Sequence, residues 1–433
     1  MKSAAEWREI LAEVNQAGGC AHPIRLRGNL LDRVNGELIE TGVVVPCKDR
    51  RAAVCPSCSR LYQADAWQLV AAGIRGGKGV SPEVIEHPQL FVTLTAPSFG
   101  PVHSRSRSGV VGRPCRPRRG ADSCPHGLPV ACNLRHADGD PLLGEPLCPE
   151  CFDYRGAVLW NAHVPALWER TSSELYRAVA RASGLSTKGV RSLVRLSYMK
   201  VVEFQRRGLV HLHVVVRADG RDGPSEHPPA WLGLEVLIDA VNDAVARAGV
   251  SVPSVAGTPT SRASWGSEHD VRVLVPGHDG DSTAIAAYVA KYATKTADGT
   301  PWLAHPIRST AQIERLQLRP HIVRLVRQSW ALGRYKELSS LRLRAHAHTL
   351  GYTGQFSSKS LLFSTTFGAL RQARVLHVKG VRDDESDYDG EWRYAGRGYA
   401  HPESNQVAES LLEASSRVPH NFHITSTDSS TTP

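Results

Sequence analysis

Several stretches of the chain alternate apolar and polar residues with the two-residue period of a β-strand. Residues 194–204 and 209–217 form one such pair, joined by the tight Gln-Arg-Arg-Gly turn 205–208. In the second, GLVHLHVVV, the residues Leu212, Val214 and Val216 fall on one face and His211 and His213 on the other. A turn at 205–208 sets Glu203 roughly opposite His211. Residues 90–95 (LFVTLT) read as a buried strand ended by Ala-Pro-Ser, and 271–275 as a short strand. Helical periodicity marks 62–72, 166–181, 235–247, 282–296 and a basic stretch at 321–334. These elements predict an α+β protein without internal repeats.

Composition narrows the setting. At 433 residues the chain is long enough for two or three modules. A net charge of +10 and a pI near 9.3 point to a polyanionic partner, nucleic acid before others. The charged N-terminus lacks an apolar signal core, and no stretch has the length of a membrane helix. The expectation is a cytoplasmic protein without membrane contact, in which clustered cysteines read as metal ligands before disulfides.

All nine cysteines lie between Cys20 and Cys151. Cys20, Cys47, Cys55 and Cys58 form a first group around a CxxC knuckle, a spacing that lets two thiolates share one tetrahedral zinc. Cys115, Cys124, Cys132, Cys148 and Cys151 form a second, with His126 and His136 among them. Seven candidates there compete for four positions, or for more if two ions bind. Cys124, Cys132, Cys148 and Cys151 are the favoured set, giving about two structural Zn²⁺ per chain. The competing reading is free buried thiols or a redox CxxC.

Two imidazoles on one strand face, backed by an apolar face, make a rigid platform for a metal. Opposed residues on paired strands come within about 5 Å at Cβ. Glu203 can therefore complete a two-His, one-acid site for Mg²⁺ or Mn²⁺ with His211 and His213. The bland alternative is a solvated histidine pair on an edge strand. In 282–296, Tyr288 and Tyr292 are four residues apart and share a helix face, with Lys295 on it and Lys291 flanking Tyr288. A phenol with a pKa near 10 is a weak nucleophile, and nearby lysines and a metal-held phosphate favour its phenolate. Otherwise such tyrosines pack at a core edge. Residues 101–120 hold six arginines and no acid: Arg105, Arg107, Arg113, Arg116, Arg118 and Arg119. They suit a DNA backbone, or simply a solvated loop.

The FVTLT strand, the His211-Leu-His213 strand and the Tyr288-Val-Ala-Lys291-Tyr292 helix stand in an order that resembles the three motifs of HUH replication initiators. FVTLTAPSFGPVHSR, PLCPECFDYRGAVLWNAHVPALW, VEFQRRGLVHLHVVV and AAYVAKYATK resemble more closely the RepSA-type initiators of actinobacterial plasmids, over roughly residues 20–370. The paired tyrosines are also similar to those of initiators from small single-stranded DNA phages.

The resemblance implies a ferredoxin-like antiparallel sheet carrying the metal site, with the tyrosine helix alongside. It implies rolling-circle initiation on plasmid origin DNA, single-stranded at the nick. Tyrosine transesterification would leave a 5′-phosphotyrosyl link and a 3′-OH primer for a host polymerase. Tyr292 matches the single-tyrosine nucleophile. Tyr288 stands where some relatives have glutamate, as second nucleophile or spectator. No GxxxxGK[ST] is present, so strand separation falls to supercoiling or a host helicase.

The expected organisation is a Cys-rich zinc module at 1–85 and a nuclease domain at 86–300 with a second Cys-rich insert near 112–155. A basic helical region at 301–412 and a disordered tail at 413–433 follow. An HUH relaxase or transposase, or a non-catalytic zinc-ribbon regulator, are the competing functions.

Overall fold

A computed structural model describes residues 2–32, 36–105, 114–117, 123–255, 260–274, 279–293, 305–379 and 388–416. In chain order its helices are α1 (Ala4–Gln16), α2 (Pro56–Arg75), α3 (Tyr154–Ser183), α4 (Thr187–Leu193), α5 (Leu234–Arg247), α6 (Asp279–Ala293), α7 (Thr310–Glu314), α8 (Pro320–Leu332), α9 (Phe367–Lys379) and α10 (Pro402–Ser416). Its strands are β1 (Ile24–Asp32), β2 (Leu38–Val45), β3 (Gln89–Thr95), β4 (Val194–Phe204), β5 (Val210–Gly220), β6 (Val250–Val252), β7 (Ser261–Ala263), β8 (His269–Val273), β9 (Ser357–Lys359) and β10 (Tyr388–Arg397). The α+β expectation holds: the sheets are antiparallel and helices pack against them. Among the described residues no helix is long and apolar enough to cross a membrane.

The chain forms two compact units that interleave in sequence. The first comprises residues 1–68, 283–294 and 366–433, and the second 69–282 and 295–365. The segments 1–85 and 301–412, expected to be separate modules, each contribute to both units. Of the expected tail at 413–433, everything beyond residue 416 lies outside the described residues.

The first unit contains a three-stranded sheet in the order β10-β1-β2. Its small core brings Val14 of α1 and Ala17, which caps that helix, together with Val44, Cys20, Cys55, Cys58, Tyr399 and Ala408. The Tyr399 hydroxyl donates to the Cys20 carbonyl across 2.9 Å, so the C-terminal segment closes over the cysteines.

The second unit is built on a five-stranded sheet in the order β8-β3-β5-β4-β9, with all neighbours antiparallel. One face is apolar. Leu90, Val92 and Leu94 of β3, Leu212, Val214 and Val216 of β5 and Val202 of β4 are buried there in one core with α3, α5 and α8. Burying an aliphatic side chain contributes about 1.5–3 kcal/mol, so this face holds the sheet to its helices.

Helix α3 begins at Tyr154, well before the expected 166–181, and passes through Pro165. A proline inside a helix removes one N–H and crowds the preceding turn. Burial outweighs that cost: Ala157, Val158, Leu159, Trp160, Ala162 and Val164, all ahead of the proline, are core residues. The Asp153 carboxylate caps the helix by accepting from Gly156 N (2.7 Å), and Gly184 (φ 70°) ends it. The other shifts are of boundaries, such as His269–Val273 for the strand expected at 271–275.

Candidate functional site

The hairpin of β4 and β5 has the register its pattern predicts. Glu203 is paired with His211 and Val201 with His213. Its loop closes through Gly208 N donating to the Gln205 carbonyl (2.8 Å) and Gln205 N to the Leu209 carbonyl (2.9 Å), with Gly208 at φ 71°. Strand β3 lies on the other side of β5 and sets Thr95 opposite His211 and Thr93 opposite His213. Two-residue alternation therefore gathers Thr93, Thr95, His211, His213 and Glu203 on the face opposite the α3 core.

The contacts orient both imidazoles. Thr95 Oγ1 lies 3.3 Å from His211 Nδ1, and Thr93 Oγ1 lies 3.4 Å from His213 Nδ1. With Nδ1 beside a threonine hydroxyl, Nε2 is the nitrogen of each ring suited to a cation. His213 Nε2 is 3.3 Å from Glu203 Oε2, so the carboxylate leans toward the diagonal histidine and away from the one it faces in register. The two rings meet edge to face at 4.6 Å between centroids, and Phe91 lies parallel to His213 at 5.8 Å. His213 is buried, while His211 and Glu203 are half-buried, which leaves one side approachable. Two imidazoles and one carboxylate are a fitting donor set for Mg²⁺ or Mn²⁺.

Asn161 of α3 fixes this hairpin from behind and escaped the sequence reading. It is fully buried, and its Nδ2 donates to the carbonyls of Gly208 (2.9 Å) and Leu350 (3.0 Å). Its Oδ1 accepts from Val210 N (3.0 Å), next to His211. The sequence signal was two polar residues, Asn161 and His163, inside an otherwise apolar helical run, LWNAHV.

Helix α6 carries the tyrosine motif. Tyr288 is half-buried and Lys291 exposed; residues 283–294 belong to the first unit, whereas the histidine pair belongs to the second. The side chain of Tyr292 and all of Lys295 lie outside the described residues, as do Arg107, Arg113, Arg118 and Arg119. Arg105 forms an ion pair with Asp138, and Arg116 Nε donates to the Val102 carbonyl (3.1 Å).

The cysteines form three clusters that can hold a metal ion, where the sequence suggested two. Cys20, Cys47, Cys55 and Cys58 come together as expected. Their Sγ–Sγ separations of 3.6–3.7 Å match the edge of a tetrahedron with metal–sulfur bonds of about 2.3 Å. Burial, and then the neighbouring Cys20 and Cys55, push the Cys47 thiol up to about 12. A cation would relieve that penalty. The second group divides. Cys124, Cys148 and Cys151 converge with His126, whereas Cys132, grouped with them by sequence, sits with Cys115, His136 and His103. Knuckle spacing alone cannot assign Cys132, and His103 lies outside the cysteine-bounded segment that drew attention.

Residues 6–413 match the family described as RepSA, "Replication initiator protein, pSAM2". A curated "Replication initiator protein" from Streptomyces ambofaciens is 39% identical over 429 residues, covering 92% of this chain and 88% of that protein. No solved structure matches.

Proposed function

The chain belongs to the RepSA replication-initiator family, and from that premise we propose that it starts rolling-circle plasmid replication by nicking single-stranded origin DNA with a tyrosine. The observation that carries this reading is the Thr95–His211, Thr93–His213–Glu203 constellation on one face of the sheet. The β-α-β-β-α-β succession of β3, α3, β4, β5, α5 and β8, arranged as β8-β3-β5-β4, supports a ferredoxin-like nuclease sheet of the HUH class.

His211, His213 and Glu203 would hold the divalent ion, Mg²⁺ or Mn²⁺, which would supply Lewis-acid polarisation of the scissile phosphate. Thr93 and Thr95 keep the imidazole tautomers and ring planes set for it. The Tyr292 phenol oxygen bonds to phosphorus as the bond from phosphorus to the 3′ oxygen breaks. The phenol proton ends on that departing oxygen, leaving a 5′-phosphotyrosyl link and a free 3′-OH. One phosphodiester replaces another, so rejoining needs no ATP. Tyr288 serves as second nucleophile for closing the displaced strand. Lys291 and Lys295 offset phosphate charge, and the arginines from Arg105 to Arg119 hold the DNA backbone. A host helicase and polymerase act on the product. Cys20, Cys47, Cys55 and Cys58 hold a structural Zn²⁺.

The test is nicking of supercoiled origin plasmid with Mn²⁺ or Mg²⁺, with the covalent adduct trapped on an origin oligonucleotide and its tyrosine mapped by peptide mass. Wild type should nick and form the adduct at Tyr292 or Tyr288. A chain that does not nick, or an adduct that persists in Tyr288→Phe/Tyr292→Phe, refutes the tyrosine mechanism.

A further inference from the structure

The segment between β3 and α3 presents a physical problem. Residues 96–153 contain no helix and no named strand among those described. Between His103 and Cys151, Leu128, Val130, Leu134 and Leu142 are exposed and Leu143 is buried, so there is little aliphatic burial to hold this part. Structureless connections longer than about 12–15 residues are uncommon in compact domains, and segments without a core need a staple. Yet backbone bonds order it. Arg116 and Cys132 exchange both of their amide bonds at 2.8 Å, Cys115 N donates to the Leu134 carbonyl (2.9 Å), and His103 N donates to the Glu145 carbonyl (2.8 Å).

The two ligand clusters of this segment interleave. His103 and Cys115 are followed by Cys124 and His126, then Cys132 and His136, then Cys148 and Cys151. The first and third pairs converge on one point, and the second and fourth on another. Within each cluster the ligand atoms lie within 4.8 Å of one another. Metal–sulfur bonds of about 2.3 Å and metal–nitrogen bonds of about 2.0–2.1 Å give tetrahedral edges of about 3.4–3.8 Å. His136 Nε2 lies 3.5 Å from Cys132 Sγ and 3.2 Å from His103 Nδ1. His126 Nδ1 lies 3.6 Å from Cys148 Sγ and 3.2 Å from Cys151 Sγ. The other nitrogen of His136 is 2.6 Å from Asp140 Oδ2, a carboxylate partner that fixes the tautomer with Nε2 free to ligate. With Cys20, Cys47, Cys55 and Cys58, the three clusters use all nine cysteines of the chain.

We propose that residues 103–151 form a cross-braced module holding two Zn²⁺ ions, one on His103, Cys115, Cys132 and His136 and the other on Cys124, His126, Cys148 and Cys151. Each ion closes a loop that contains ligands of the other, so neither half is held without both. Three ions per chain follow, and the two in this module load and leave together. All six basic-loop arginines, Arg105, Arg107, Arg113, Arg116, Arg118 and Arg119, lie in sequence between the ligands His103 and Cys124.

The test is the zinc content of the purified full-length chain, with X-ray absorption at the zinc edge. Three ions are expected, with an average shell of about three sulfurs and one nitrogen. Two ions with an all-sulfur shell overturn the proposal, and this measurement needs no variant. Cys115→Ser and Cys148→Ser, at different ions, should each reduce the content from three to one. Retention of two ions by either overturns the cross-brace. His136→Cys keeps a ligand in place and should retain three ions with a sulfur-richer shell; loss of both module ions there counts against His136 as a ligand position.

Discussion

Replacing Asn161 tests whether the histidine hairpin is held from the core side. Asn161→Ala removes two donors and one acceptor from a fully buried position. The Gly208 and Leu350 carbonyls and the Val210 N–H then lose this partner. An orphaned buried polar group costs about 1–3 kcal/mol, and a water entering the vacated space recovers part of that for three groups. The expected loss is therefore about 3–5 kcal/mol. Asn161→Asp keeps the shape and an acceptor for Val210 N but turns an oxygen toward two carbonyl oxygens, so its loss should be at least as large. The assay is urea unfolding with the slope checked against wild type, so that a midpoint shift reports stability. Because Val210 adjoins His211, nicking should also fall by about 10–100-fold, as expected for a small displacement of a catalytic group. Losses below about 1 kcal/mol in both variants would refute the reasoning.

Three further outcomes follow from the same sheet. Thr95→Val and Thr93→Val remove the oxygens beside His211 and His213 Nδ1 and should each weaken Mn²⁺ binding by about 10–100-fold in calorimetric titration; a change under about threefold would show that the threonines do not orient the rings. Asp219→Ala strands the buried Arg217 guanidinium and should cost about 3–5 kcal/mol in urea unfolding, whereas an Arg217→Met/Asp219→Leu pair should recover much of it; equal losses for single and double variants would count against a charge effect. Burial pushes the buried Lys200 amine down to about 8, below its unfolded value near 10.4. Between those values the unfolded chain binds more protons, so this residue makes stability rise with pH from about 8 to 10. Lys200→Met should flatten that rise, and an unchanged pH profile would sink the assignment.

What the sequence made legible follows from the range of each interaction. The facing of Glu203 and His211 was readable because a tight turn fixes hairpin register locally. The diagonal reach of Glu203 to His213 was not, because it depends on how a side chain leans inside a particular packed face. The FVTLT segment read as a strand, but its threonines acquired a role only through pairing with a strand more than a hundred residues away. The Cys20 to Cys58 cluster followed from counting four ligands for four positions. The division of the remaining cysteines, and the presence of His103 among them, depended on chain crossings that spacing does not encode. Only 166–181 of α3 was read as helical, because the start at Tyr154 and the passage through Pro165 rest on a buried face formed with the sheet.

Strand β5 suits the metal platform proposed for it. Along one face it runs from His211 and His213 to Arg217 and Asp219. At the far end, Asp219 accepts from Arg217 Nε (2.6 Å), Arg217 Nη2 (3.0 Å) and Ser197 Oγ (2.7 Å), with His87 Nδ1 at 2.8 Å. Arg217 continues to the carbonyls of Gly73, Leu362 (3.3 Å) and Phe363 (3.2 Å), so the end of α2 and the segment after β9 cover that half of the face. Gly73 permits this closure, since a Cβ there would clash with the Phe363 ring. At the near end, Asn161 grips the hairpin and the threonines of β3 hold the imidazoles. The strand is thus anchored at both ends by buried polar bonds, and its other face is sealed in the core. Among the described residues, His211 and Glu203 at the histidine end are half-buried, whereas Arg217 and Asp219 at the other end are fully buried. Under the proposed function, a ligand set carried on such a strand would lose little freedom when a cation or a phosphate arrives, which is the condition for binding energy to act on the substrate instead of on ordering the protein.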